Sequence, residues 1–160
     1  MKTLTGRAII HYPYKNPFTG ITHNSIILSL EGLRGKYGIP GGQFDPRFDK
    51  NTLETAIREL NEELGLTGIK ESAELIYVFE GNVCTHDIYA MDAEGVLRLD
   101  PIEILGIGLL NAGPGKEIPF NKMERHAQAL YSEYIGTSKE RRHPSNIVIS
   151  ERYITFKDLR

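Results

Sequence analysis

Three carboxylates crowd one short segment, at Glu59, Glu62 and Glu63 in the run Arg58-Glu59-Leu60-Asn61-Glu62-Glu63-Leu64-Gly65-Leu66. On a helix, residues three and four apart are neighbours, so Glu59 meets both of the others, and each like-charged pair costs roughly 0.2–0.5 kcal/mol. The acids also occupy the last turn, where the helix macrodipole disfavours negative charge by about 0.3–1 kcal/mol each. A solvated helix gains nothing from that arrangement. A site for hard divalent cations does, because such ions take carboxylate oxygens as ligands.

The acids must be positioned by a helix. Leu53, Ala56, Ile57, Leu60 and Leu64 recur at helical spacing and predict one from about Thr52 to Leu64, with Asn51 or Thr52 capping its start and Gly65 ending it. Upstream, Leu4 to His11 reads as a strand, Tyr12 to Thr22 (Pro13, Pro17, Gly20) as a loop, and Asn24 to Leu30 as a buried strand. Glu31 to Gly42 holds Gly32, Gly35, Gly38, Gly41 and Gly42 and must turn repeatedly. Downstream, strands are expected at Glu74–Glu80, Val83–Met91 and Ile102–Leu110, with a turn at Asp92-Ala93-Glu94-Gly95. A loop at Asn111 to Phe120, a second helix at Met123 to Tyr134 and an extended tail at Ile147 to Phe156 complete the chain. The order β-β-α-β-β-β-α predicts an α+β fold, helices packed on a mixed sheet.

The chain has 160 residues, 40% of them apolar and 25% charged, which describes one globular domain spanning residues 1–160. A net charge of −2 argues against a general polyanion binder. The single cysteine, Cys84, excludes a disulfide framework and clusters of thiolate-bound zinc. Neither a signal peptide nor a membrane span is visible, so a cytoplasmic protein with no membrane partner is expected.

Five fixed residues and two apolar positions in nine would arise by chance in roughly one in 10⁴–10⁵ chains of this size at average residue usage. They resemble the second half of the Nudix hydrolase signature, R-E-U-x-E-E-x-G-U with U apolar, each specified position being filled by Arg58, Glu59, Leu60, Glu62, Glu63, Gly65 and Leu66. Pro40-Gly41-Gly42 resembles the start of that box. The resemblance implies an α/β/α sandwich with a central mixed β-sheet and a Mg²⁺-dependent hydrolase, with Mn²⁺ a substitute. Its substrate would be a diphosphate linking a nucleoside to another moiety, such as a nucleotide sugar, a dinucleoside polyphosphate, a nucleoside triphosphate or a capped RNA 5′ end. Glu59, Glu62 and Glu63 would bind metal, with the backbone carbonyl of Gly41 or Gly42 completing the coordination. Glu59 could also be the general base, and Arg58 would orient the carboxylates. Strict dependence on the cation follows, and a homodimer is compatible with the family.

The first half of the box departs from the pattern. Lys50 stands where the family has glutamate, and two extra residues separate Gly42 from Arg58. Either Asp45 or Asp49 replaces the missing acid, or the change weakens activity or alters the metal number. A catalytically weak Nudix-fold binding or regulatory module is therefore the alternative to an enzyme. Glu103, with Asp100 in the same segment, is a further acid that could reach the site, and Tyr37, before Gly38-Ile39-Pro40, a ligand contact beside Gly42. His126 reads as a surface or helix-packing histidine rather than a base, His86 stays ambiguous, and Cys84 reads as a buried apolar residue. Lys139-Glu140-Arg141-Arg142-His143 reads as a solvated loop, though its basic residues could touch phosphates. Tyr12, Tyr14 and Phe18 could stack on a base.

Overall fold

Asn51 starts the helix that carries the acids: its side-chain oxygen accepts the Glu54 backbone N–H at 3.0 Å. Gly65 ends it in the left-handed region at φ 68°, returning its N–H to the Asn61 carbonyl. The computed structural model describes residues 2–155. In chain order the elements are β1 (Thr3–Ile9), β2 (His11–Lys15), β3 (Thr22–Glu31), β4 (Tyr37–Gly38), β5 (Gly41–Gln43), α1 (Thr52–Leu64), β6 (Thr67–Gly68), β7 (Glu74–Glu80), β8 (Cys84–Ala90), β9 (Ala93–Val96), β10 (Ile104–Leu110), α2 (Arg125–Gln128), α3 (Leu130–Glu133) and β11 (Asn146–Val148).

The expected α+β fold with a mixed sheet is present, its strands divided among three sheets. The first has the order β5-β1-β8-β7, with β1 and β8 parallel and the other pairs antiparallel. The second is antiparallel, β10-β3-β2, with β4 added to β3. A small third sheet has the order β11-β9-β6. Successive strand residues point to opposite faces, and β1 feeds two cores accordingly. Ala8 and Ile10 pack with Ala56, Leu60 and Leu64 of α1, while Ile9 packs with Ile88, Ala127, Leu130 and Tyr134. The strands thus lie between α1 on one side and α2–α3 on the other.

Several local expectations change. The segment after His11 is strand rather than loop up to Lys15. Pro13 is tolerated because β2 is an edge strand, where a missing N–H leaves no ladder bond broken. The turn expected at Asp92–Gly95 is largely strand β9, stabilised by partners distant in sequence, β6 and β11. The second helix is two short segments. The expected tail is a short strand followed by a 3-10 turn at Glu151–Tyr153, and Phe156 lies outside the described residues. Among the described residues, no helix is long and apolar enough to cross a membrane.

The feature that sets α1 in place is Gly6 in β1. A Cβ there would sit 1.9 Å from the Thr52 carbonyl oxygen and 3.0 Å from the Ala56 nitrogen. Both obstacles are backbone, so neither can rotate aside. Gly6→Ala is expected to cost about 3 kcal/mol, the upper part of the range for overpacking. Urea denaturation monitored by circular dichroism would measure it.

Candidate functional site

Two glycines bring the acids against the sheet. The Gly41 N–H donates to the Glu63 carboxylate at 3.1 Å. Gly41 itself has φ 157°, and a Cβ there would lie 2.2 Å from the Gly6 carbonyl oxygen. At Gly42 a Cβ would lie 2.6 Å from the Glu59 carboxyl carbon, so the side chain of Glu59 occupies the space that the glycine leaves. Glu63 is buried, and its pKa is pushed up to about 8, first by desolvation and then by the Glu59 charge, against the Gly41 N–H and Arg7. Burial also raises Glu59, with Arg58 opposing and Glu62 adding to the shift.

Arg58 organises the outer acids. Its Nη1 donates to Glu59 at 3.1 Å and to Glu62 at 3.3 Å. Its Nε and Nη2 form a fork on the two oxygens of Asp49, each at 2.9 Å. Asp49 is buried and also accepts the Thr55 hydroxyl at 2.9 Å and the Asp45 backbone N–H at 3.1 Å. These donors, Arg58 foremost, hold its pKa down at about 2. Of the two candidates for the missing carboxylate, Asp49 is the one that reaches Arg58. Asp45 instead pairs with Arg47 at 2.8 Å on the exposed side of the loop. Lys50 only donates its backbone N–H to Glu54.

Glu59, Glu62, Glu63, Gly41, Gly42 and Glu103 line one cleft of about 550 Å³, and Glu31 joins them. Glu31 has no motif around it and gives no signal in the sequence beyond preceding a glycine-rich turn. Arg7 is also absent from the expectations. It is buried, donating to the Ile39 carbonyl at 2.8 Å and to His86 Nδ1 at 3.1 Å, and Glu31 and Glu63 are the negative charges that act on it most strongly. Tyr37 is not in this cleft. It is buried in the core, its hydroxyl 2.7 Å from the Thr155 hydroxyl, because β4 pairs with β3 and turns the ring inward. Among the described residues no three His, Cys, Asp or Glu side chains converge closely enough to hold a metal ion as they stand. Arg58 draws Glu59 and Glu62 one way, and the Gly41 N–H holds Glu63.

A second cleft of about 300 Å³ shares Glu31 with the first and is lined by Arg7, Arg34, Phe79, His86 and Arg125 among others. His126 is a buried packing residue whose Nε2 accepts the Ile39 N–H at 3.1 Å. His86 stacks on it with ring centroids 4.7 Å apart, and burial together with the Arg7 charge lowers its pKa to about 4. Cys84 is half-buried and lines this second cleft rather than the core. Arg141 is held by Asp92 at 3.0 Å and by the carbonyls of Ser72 and Ala90, away from the acids. Tyr14 is buried on Glu151, Phe18 lies on the surface beside Lys116, and neither they nor Tyr12 lines the two clefts.

A mixed sheet sandwiched between helices in this way recurs in solved structures. A protein from Chromobacterium violaceum assigned to the Nudix hydrolase family superposes with a TM-score of 0.61 at 20% identity, over 87% of this chain and 83% of its own. The Nudix domain of NrtR from Shewanella oneidensis, crystallised with ADP-ribose, gives 0.60 at 14% identity over 82% of this chain and 88% of its own. A MutT Nudix hydrolase from Burkholderia pseudomallei gives 0.58 at 19% identity over 84% and 98%. No family model matches the sequence, and no curated protein matches it either. The fold is that of the Nudix hydrolases.

The Asp49–Arg58 pair has a measurable signature. Asp49→Asn leaves Arg58 without its buried counter-charge. The expected cost is about 2–3 kcal/mol, below the full value for a buried pair because Arg58 is a quarter exposed. The folded-state pKa of Asp49 lies below its ordinary value of 3.8, so this stability is present above about pH 4 and is lost as pH falls toward 2. Urea midpoints measured at steps below pH 5 should fall less steeply in Asp49→Asn than in the wild type.

Proposed function

We propose that the chain is a Nudix-type pyrophosphohydrolase that cleaves the diphosphate bond between a nucleoside and a second moiety, with Mg²⁺ as its ion and Mn²⁺ able to substitute. One observation carries this reading: buried Glu63 and half-buried Glu59 line a cleft that also receives Glu31, Glu62 and Glu103. Desolvation raises both acids, helped at Glu63 by the Glu59 charge and at Glu59 by Glu62 and Glu103, which is the electrostatic condition that a bound cation relieves. Hard oxygen donors in this number suit Mg²⁺ or Mn²⁺. Glu59, Glu62 and Glu63 would hold the ions with the Gly41 carbonyl, and Glu103 would face the substrate. Cations bound there would neutralise the diphosphate oxygens and lower the pKa of the attacking water.

The protein's own groups account for the remaining steps. Glu63 must lose the proton that its metal-free environment favours. Arg58, fixed by Asp49, holds Glu59 and Glu62 at the cleft, and Gly42 lets the Glu59 carboxylate lie against β5. With Glu59 ionised, it can accept one proton from water as the water oxygen forms a bond to phosphorus. The bond from that phosphorus to the bridging oxygen breaks, and the bridging oxygen leaves on the second phosphate. The Arg34, Phe79 and Arg125 cleft offers guanidinium groups and an aromatic ring to the nucleoside half. ADP-ribose, the compound bound to the Shewanella domain, belongs to the same chemical class. A binding module without turnover drew its support from Lys50, and Asp49 supplies Arg58 with a carboxylate in that residue's place.

The test is a hydrolysis screen over nucleoside diphosphate derivatives with Mg²⁺ or Mn²⁺ and identification of products. Turnover is expected to vanish in EDTA. Glu63→Gln should lower kcat by roughly 10²- to 10³-fold, the scale of losing one electrostatic stabiliser. The same variant should raise the melting temperature of the metal-free protein by several degrees near neutral pH. Folded Glu63, with its raised pKa, holds a proton that the unfolded chain releases, so wild-type stability falls as pH rises from about 4.5 toward 8. Turnover unaffected by EDTA or by Glu63→Gln would overturn the assignment, and ligand binding without phosphate release would favour the module.

A further inference from the structure

The acid cleft has an apolar mouth. Leu33 and Ile102 line it and are 104% and 87% exposed, and the adjacent Leu105 is 61% exposed. Isolated exposed aliphatic residues are ordinary on a protein surface. These three instead sit on two neighbouring segments that the backbone ties together. The Gly32 N–H donates to the Glu103 carbonyl at 2.9 Å, and Ile104 pairs with Glu31 at the start of β10. Leu33 stands in a turn closed by the Gly35 N–H on the Glu31 carbonyl at 2.9 Å. Ile102 follows Asp100, whose side chain accepts the Ile102 N–H at 2.9 Å.

Leu105 is turned outward by a register shift. The pairing of β10 with β3 passes from Ile104 opposite Glu31 to Gly106 opposite Leu30, leaving Leu105 as the extra residue of a bulge. The two segments lie in van der Waals contact here, the Cβ position of Gly32 being 3.5–3.8 Å from the carbonyl oxygens of Glu103 and Ile102 and from the Leu105 side chain. The result is an exposed aliphatic rim beside the carboxylates of the cleft. A cleft of about 550 Å³ has room for more than a diphosphate. The neighbouring cleft across Glu31 has a different lining, dominated by arginine and histidine.

We propose that the moiety on the far side of the diphosphate from the nucleoside is aliphatic next to its ester oxygen and is held by Leu33, Ile102 and Leu105. This inference rests on the hydrolase reading above. It separates the substrate from nucleotide sugars, which present hydroxyl groups to the same rim and leave it no apolar partner. Burying each methylene against the rim increases kcat/KM by about threefold, most of the value for full removal from water.

The test uses the full chain with Mg²⁺ and a series of ADP esters carrying methyl, ethyl, propyl and butyl groups on the distal phosphate, with ADP-ribose as the hydroxyl-rich comparison. The wild type should prefer butyl over methyl by about 30-fold in kcat/KM. In the Leu33→Ser/Ile102→Ser double variant that ratio should fall to a few-fold. Because the readout is a ratio, a general loss of activity in the variant does not mimic the result. A flat series in the wild type, a preference for ADP-ribose over the butyl ester, or an unchanged slope in the variant would overturn the proposal. If no ester and no ADP-ribose is hydrolysed, the hydrolase reading fails, and the same slope is read from calorimetric affinities of the Mg²⁺-loaded protein. Sedimentation of both proteins covers the remaining occupant: self-association of the wild type abolished in the variant would make the rim a contact between copies and overturn the proposal.

Discussion

The close approach of α1 to β1 and β5 is the constraint on which the site depends. Gly6 leaves room for the Thr52 carbonyl, Gly41 for the β1 backbone, and Gly42 for the Glu59 carboxylate. That proximity buries Glu63 and half-buries Glu59 at the sheet edge, and desolvation raises the pKa of each. An ordinary helix separated from the sheet by side chains would leave the same acids solvated and unperturbed. The sequence Pro-Gly-Gly and the acid-bearing helix are therefore two halves of one packing contact.

Counter-charge is distributed unevenly across this contact. Arg58 divides its five N–H groups between Asp49, behind it, and Glu59 and Glu62, in front. Glu63 receives one backbone N–H and the more distant field of the buried Arg7. The outer acids thus pair with a neighbour on the same helix, while the inner one lacks a comparable partner. This asymmetry accompanies the rise of the Glu63 pKa to about 8. It also explains why Asp49 can lie one position from the family's glutamate. The longer loop bends back through the Asp45 N–H and the Thr55 hydroxyl and delivers a shorter side chain to the same guanidinium.

Much of this was legible from local pattern. The α1 boundaries follow from apolar periodicity, Asn51 and Gly65, and the acids from their spacing. What escaped depends on long-range pairing. β9 reads as a turn because Asp92-Ala93-Glu94-Gly95 has turn composition, and only β6 and β11 make it a strand. Tyr37 lies close in sequence to the Pro-Gly-Gly, yet strand alternation points it into the core. Glu31 and Arg7 carry no motif, and it is the meeting of β1, β3 and β5 that places their charges near Glu63.

The parallel pairing of β1 with β8 joins the beginning of the chain to residues near its middle, Thr3 opposite Cys84 and Ile9 opposite Ala90. Such non-local contacts form slowly, because a long loop must be closed before they contribute. During synthesis, α1 emerges well before β8 does. Until the sheet closes, Glu59, Glu62 and Glu63 are ordinary ionised side chains in water, and their repulsion disfavours contact between unfinished chains at that helix. The carboxyl groups that the folded protein desolvates at a cost act earlier, as charges in water, against association of unfinished chains.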